Sequence, residues 1–375
     1  MTPVPSSHSQ SRRGRPILLP RLTTAPVMFF VTAIVLLFLM AYDTNNSMEE
    51  TFEEEIHGAA IFLRGEEDLH DLFDGLNTTY RCRDQDDPPE WFDHYDERKH
   101  PCLCTDPTIP REREGGTTNK RWRDWHDTMA ERARKIPDGG SLDFVLLGDS
   151  ITEHWRGTKA LGKVDLPEYR RVFEKYFHRR SNDGTGTTSL YGEAFGTGGD
   201  TTTELLWHVT HNLIPKNVQP RAFVILIGTN DLDLRLCSKK HVLAGILNIA
   251  TLVRGQRPRA TIILHGITPR SEFYKDNEFH VGPRYEQIQW INRHLKGYAS
   301  LQDDWYYIEN SDIFLRDDDP TMIDKSLMND ALHPTVAGYE KWSPRFADQI
   351  TEILAMKEKT KHYHHHHHHR KRRKR

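Results

Sequence analysis

Short apolar runs recur between residues 141 and 356: "FVLL" at 144–147, "FVILI" at 223–227, "TIILHGI" at 261–267 and "WYYI" at 305–308, with a fifth near "LYGEAFG" at 190–196. Runs of this length, rich in β-branched and aromatic residues and bounded by Gly, Asp and Pro, are the pattern of strands buried on both faces. Between them the apolar positions change to helical spacing, as in "TTTELLWHVTHNL" and "HVLAGILNIATLVRGQ". Strand alternating with helix predicts crossover connections and a mainly parallel sheet covered on both sides, the α/β class. In such sheets reactive groups gather beyond the carboxyl ends of the strands.

Two more segments have helical spacing. "KRWRDWHDTMAERARK" places Trp122, Trp125, Met129 and Ala133 on one side, a face that packs against the main domain. "LPEYRRVFEKYFHRR" predicts a basic, aromatic amphipathic helix. Its stretch "RRVFEKYFHRR" sits in a long connection after the first strand, with one face packed and the other solvated.

The N-terminal pattern differs in kind. "APVMFFVTAIVLLFLMAY", residues 25–42, has no charged side chain and is just long enough to cross a bilayer. Arg12, Arg13, Arg15 and Arg21 precede it, and Asp43, Glu49, Glu50, Glu53, Glu54 and Glu55 follow. A cleaved signal peptide is the rival reading, but the run is long for one and Met40-Ala41-Tyr42-Asp43 is a poor cleavage site. Because the positive flank stays cytosolic, the expectation is a single-pass type II membrane protein. Residues 1–24 would be a cytosolic tail, 25–42 a transmembrane signal anchor, and everything beyond lumenal (Golgi or ER) or extracellular.

That topology changes how the four cysteines read. Cys82, Cys102 and Cys104 fall in a charged, proline-rich stretch, so residues 43–138 are expected to be a stem and a Cys-containing pre-domain. An oxidising lumen allows two disulfides, and one is expected to tie the pre-domain to the region near Cys237. No second Cys or His pair stands at zinc-finger spacing from Cys102-x-Cys104, so no metal is expected. Asn45 and Asn77 head glycosylation sequons. Residues 357–375, with a run of six consecutive histidines and then six Lys or Arg, are a low-complexity tail, either a purification tag or a natural tract. The formal charge of −3 over 375 residues offers no case for nucleic acid, and no nucleic-acid partner is expected.

The residues after each strand carry the chemistry. Gly148-Asp149-Ser150 follows the first strand, and Thr197-Gly198-Gly199-Asp200-Thr201-Thr202 the second. Gly228-Thr229-Asn230-Asp231 follows the third, and Asp330-Ala331-Leu332-His333-Pro334 precedes the last helix. A serine at a strand-to-helix turn is either a helix cap or a nucleophile. Thr201 with Glu204 reads as a capping box, and His154, His208, His211, His265 and His294 read as surface or core histidines. No phosphate loop, dinucleotide fingerprint or paired-His metal helix occurs, so no cofactor is expected.

The four blocks, in this order, resemble the SGNH (GDSL-like) hydrolases over about residues 139–356. "FGTGGDTTTELLWHV", "GTND" and "GITPR" are worded most like the catalytic subunits of intracellular platelet-activating-factor acetylhydrolase. The resemblance implies a three-layer α/β/α, flavodoxin-like fold with a mainly parallel five-stranded sheet. It implies Ser150 as nucleophile, His333 as base and Asp330 as its orienting carboxylate, and an oxyanion hole from the amides of Ser150 and Gly199 and the Asn230 side chain.

The expected activity is a serine ester hydrolase that removes a short, acetyl-like acyl group from a carbohydrate or small lipid. Its partners would be a small-molecule or glycan ester and, through the anchor, the membrane. An O-acetyltransferase using the same serine and an inactive glycan-binding domain are the alternatives. Tyr169, Phe173 and Phe177 are the residues able to line a lipid pocket if one exists.

Overall fold

Each of the five apolar runs forms a strand, and the five lie parallel in one sheet. A computed structural model describes residues 103–136, 142–179, 190–214, 217–271 and 273–372. In chain order these comprise α1 (Gly116–Arg134), β1 (Phe144–Gly148), α2 (Ser150–Trp155), a two-stranded hairpin of β2 (Thr158–Lys159) and β3 (Val164–Asp165), and α3 (Pro167–Phe177). Next come β4 (His178–Arg179), β5 (Leu190–Gly196), α4 (Thr202–Thr210), β6 (Ala222–Leu226), α5 (Thr229–Asp233), α6 (Lys239–Gln256) and β7 (Thr261–His265). The chain continues with β8 (Phe273–Lys275), β9 (Glu278–His280), α7 (Pro283–Ser300), β10 (Trp305–Ile308), β11 (Met322–Ile323) and α8 (Val336–Arg372).

The main sheet has the order β10-β7-β6-β1-β5-β4. Its last member is a two-residue antiparallel edge beyond the five parallel strands. The central strand β1 pairs with β5 on one side and β6 on the other, Gly148 standing opposite both Gly196 and Leu226. The chain therefore reverses its winding at β1. The crevice at the carboxyl ends of β1, β5 and β6 is the topological switch point where open parallel sheets bind ligands.

Alternation along β1 divides the core into two layers. Phe144 meets the rings of Phe177 on α3 and Phe346 on α8, and α3 and α8 pack together on that side. Leu147 faces Val209 of α4 and Val253 of α6 on the other, where α4, α6 and α7 pack in succession. The two faces of β1 thus carry separate helix layers, as the continuous apolar runs require.

The segment ahead of β1 belongs to this body. Residues 103–114 run without helix or strand beside α4 and the end of α5, with Leu103 N–H donating to Arg235 O (3.1 Å) and Arg111 N–H to Thr203 O (3.1 Å). Cys104 and Cys237 form a disulfide, the pairing expected between pre-domain and catalytic region. On α1 the predicted face is buried: Trp122, Trp125, Met129 and Ala133 are at most 9% exposed, and Trp125 Nε1 donates to Gly196 O at 3.0 Å.

The anchor run, the stem up to residue 102, both sequons, Cys82 and Cys102 lie outside the described residues. Among the described residues no helix is long and apolar enough to cross a membrane.

Candidate active site

Ser150 is the first residue of α2, immediately past the end of β1. The helix is capped by Asp149, whose carboxylate accepts from Ile151 N–H at 3.0 Å. The capping role is therefore taken by the neighbour, and the Ser150 hydroxyl is free to face elsewhere. Burial pushes the Asp149 carboxyl up to about 7, against the pull of the Ile151 hydrogen bond.

The hydroxyl faces His333, with Oγ and Nε2 2.8 Å apart. The Nδ1 of His333 lies 2.7 Å from Asp330 Oδ2. An ionised carboxylate can only accept, so Nδ1 carries the proton and Nε2 is left as an acceptor for the serine O–H. Asp330 is kept ionised: burial raises its pKa, but hydrogen bonds from the His333 side chain, the His333 N–H and the Leu332 N–H outweigh it and hold it at about 2. The stretch from Asp330 to Pro334 is a turn ahead of α8 rather than a helix, with Ala331 at φ 58°.

Two further loops meet this triad. After β5, the run Thr197 to Thr202 consumes its amides one by one. Thr197 N–H goes to Gly148 O (3.2 Å), Gly198 N–H to Glu153 Oε2 (2.8 Å), and Asp200 N–H to Thr197 O (3.0 Å). Thr201 N–H goes to Glu204 Oε2 (2.9 Å), within the predicted capping box, and Thr202 N–H to Asp231 Oδ2 (2.9 Å). Among the described residues the Gly199 N–H is the amide of this run with no intramolecular acceptor. Gly199 has φ +80°, a conformation in which a side chain is strained. Close packing constrains Gly196 too: a Cβ there would sit 2.3 Å from Glu153 N.

After β6, Asn230 lies on α5 and is 5% exposed. Its Nδ2 donates to Asp200 O at 2.8 Å, so one amide hydrogen ties the two loops and the second is unassigned. Asp231 completes the tie through the Thr202 N–H and hydroxyl. Arg270, from the "GITPR" stretch, donates to Thr229 O at 2.9 Å and pairs with Asp233 at 2.8 Å, fixing α5 from the other side.

The five predicted site residues are thus gathered on four separate loops. Several supporting residues were not singled out by the sequence. Glu153, one turn after Ser150, selects which amide of the glycine loop stays free. His154, read as a surface or core histidine, lies beside the triad, its ring centroid 4.6 Å from that of His333. Burial first, and the adjacent His333 second, lower the His154 pKa to about 4, so it faces His333 uncharged. His208 fits its reading, fully buried in the core. Arg113 and Trp122 come from the segment before β1, and both donate to Asp200 Oδ1, at 2.8 and 2.7 Å. Trp122 reads from the sequence as a packing residue and Arg113 is not read at all; sequence distance hid both contacts, because 87 and 78 residues separate Arg113 and Trp122 from that partner.

Phe173 and Phe177, named as lipid-pocket candidates, do not line the site. Both are fully buried, packed with Trp155, and Phe177 also meets Phe346. Of the three only Tyr169 approaches the triad, edge-on to His154. Among the described residues no group of three or more His, Cys, Asp or Glu side chains is placed to hold a metal.

Comparison with known proteins adds to this geometry. Residues 146–341 match the model of the GDSL-like Lipase/Acylhydrolase family. Platelet-activating factor acetylhydrolase IB subunit alpha2 from Homo sapiens is 29% identical over 247 residues, 66% of this chain and 90% of that protein. The corresponding alpha1 subunit from Bos taurus is 25% identical over 220 residues, 58% of this chain and 78% of that one. A solved GDSL-like lipase from Bacteroides thetaiotaomicron is 19% identical, covering 60% of this chain and 97% of its own, with a TM-score of 0.45.

Proposed function

Given that the chain belongs to the GDSL-like lipase/acylhydrolase family and is a carboxylic ester hydrolase, we propose that Ser150, His333 and Asp330 carry the reaction and that its substrate bears a short acyl group. The observation that carries this reading is the continuous chain from Ser150 Oγ through His333 to Asp330, with both contacts under 2.9 Å.

Ser150 Oγ attacks the ester carbonyl carbon while its proton passes to His333 Nε2. The carbonyl oxygen becomes an oxyanion that accepts from the Ser150 and Gly199 amides and the second hydrogen of Asn230 Nδ2. Asp330 stabilises the imidazolium and does not take its proton. As the tetrahedral intermediate collapses, the C–O bond breaks and His333 returns the proton to the leaving alcohol. Water, deprotonated by His333, then attacks the acyl-serine and releases the acid.

Two considerations support a short acyl group on a carbohydrate or small lipid. The curated relatives are named acetylhydrolases, and two of the three aromatic residues able to line a lipid pocket, Phe173 and Phe177, belong to the core. The test is incubation of the full protein with a fluorophosphonate and with acetylated glycans and short-chain esters. Wild type should be labelled and release acid, whereas Ser150→Ala should do neither. Labelling of Ser150→Ala would overturn the assignment, and products acylated on a second alcohol instead of free acid would make the enzyme a transferase.

We also propose that the catalytic domain lies in the secretory lumen or outside the cell, behind the anchor at 25–42. The Cys104–Cys237 disulfide supports this, because such bonds persist in oxidising compartments. Digestion of the catalytic domain by protease added to intact vesicles would refute it.

A further inference from the structure

The Gly199 amide can serve an oxyanion only if its peptide plane is fixed, and two consecutive glycines are poor at fixing one. Gly198 and Gly199 lack the Cβ that restricts backbone torsions, so the peptide between them can rotate at low cost. Rotation would point the Gly198 carbonyl, not the Gly199 N–H, toward the developing negative charge. Something outside the loop has to hold that plane.

Arg113 is placed to do so. Its NH1 donates to Gly198 O at 2.9 Å, and Gly198 O belongs to the same planar peptide as the Gly199 N–H. In a trans peptide C=O and N–H point in opposite directions, so gripping one end aims the other. NH2 of the same guanidinium bonds Asp200 Oδ1 at 2.8 Å, and Nε stands 3.5 Å from Glu204 Oε1. The fork therefore spans both sides of Gly199, and its NH2 would lie 3.4 Å from a Cβ at that position. The side chain is 15% exposed and each of its three nitrogens faces one of these partners, which fits a brace and not a group awaiting substrate. A hydrogen bond accepted by the carbonyl also polarises the peptide and strengthens its N–H as a donor.

Arg113 lies outside the residues that match the family, 146–341, in the segment strapped down by Cys104–Cys237 and α1. Trp122 of α1 shares Asp200 Oδ1 with it. Beneath them, His208 Nε2 lies 3.1 Å from Asp200 Oδ2, and its Nδ1 meets His126 Nδ1 of α1 at 2.8 Å. The segment before β1 thus supports the glycine loop from two directions.

We propose that Arg113 is a positioning residue that locks the Gly198–Gly199 peptide with its N–H toward the oxyanion, so that the segment before the family domain is a working part of the active site. This rests on the esterase reading above. The test is steady-state kinetics of the full protein on a short-chain ester, with the fluorophosphonate labelling rate and Tm measured in parallel. Arg113→Ala should lower kcat about tenfold or more and slow labelling in proportion, with KM within about twofold, because the oxyanion forms only in the transition state. Arg113→Lys, with one ammonium able to reach Gly198 O, should recover part of kcat.

Unchanged kcat in Arg113→Ala, or a change in KM alone, would overturn the proposal while leaving the esterase reading intact. If Arg113→Ala does not fold, Arg113→Lys decides: a kcat equal to wild type would overturn the proposal. Wild type that neither turns over ester nor is labelled would bring down the esterase reading and this inference with it.

Discussion

Asn230 Nδ2 donates to the carbonyl oxygen of Asp200 at 2.8 Å, joining the loop after β6 to the loop after β5. The bond spends one hydrogen of the amide and fixes the direction of the other. If Asn230 donates to the oxyanion as proposed, Asn230→Ala should lower kcat by about 10² or more for every ester alike, since such a donor acts on the carbonyl oxygen and not on the acyl chain. Comparison of acetyl and butanoyl esters checks this. A loss confined to one acyl length would place Asn230 in substrate selection instead.

Acyl length itself gives a second test. Phe173 and Phe177 are spent in the core against Trp155, so a long chain finds little apolar surface there. It would gain little of the roughly 0.8 kcal/mol available per buried CH₂. The value of kcat/KM should therefore fall from acetyl to octanoyl esters. A rise toward octanoyl would mean that a lipid-binding surface lies elsewhere, and the enzyme would then be a lipase.

The disulfide between Cys104 and Cys237 links residues 133 positions apart. Closing so long a loop restricts the unfolded chain, and a bond of this kind stabilises by about 2–4 kcal/mol. Cys104→Ser with Cys237→Ser should lower the denaturant midpoint and steepen the transition, because the unfolded chain is released from its restraint and exposes more surface. Mass mapping of unreduced peptides that finds Cys237 as a free thiol would remove the basis for this expectation.

Buried histidines predict a pH dependence that a variant can isolate. Burial, and then the charge of His208, lower His126 from its usual 6.5 to about 4. Burial and then Arg113 lower His208 to about 3. Between about 4 and 6.5 the unfolded chain binds the proton that folded His126 refuses, so this residue costs the fold increasingly as pH falls through that window. Asp149 and Asp231, which burial raises to about 7, act in the opposite direction, so the wild-type profile alone does not separate them. The difference does. His126→Asn should be less stable than wild type at pH 7.5, through the lost contact with His208, and that deficit in Tm should shrink toward pH 4.5. A deficit independent of pH would show that His126 titrates normally.

Much of this was readable along the chain because it is local. Five strand runs, the helices between them and the capping box at Thr201 and Glu204 depend on spacing within a few residues, and each was found where the pattern put it. The five candidate site residues could be proposed from the sequence, since the resemblance attaches them to short blocks beside strands and ahead of the last helix. The short hairpins β2–β3 and β8–β9 were not, because two- and three-residue strands carry no periodicity.

The sequence by itself determined the α/β class, the family, and which residue types stand at the ends of β1, β5 and β6. Only the tertiary structure decided which atoms meet. Ser150 could have been the cap until Asp149 was seen to fill that position. His154 was indistinguishable from a core histidine until its ring lay against His333. Arg113 looked like one more charge in "PRERE" until its guanidinium closed over Gly198, 85 residues away. Local pattern fixes backbone type, because φ, ψ and burial repeat with short periods. Side-chain contacts across the sheet have no period, and they exist only once the chain has folded back on itself.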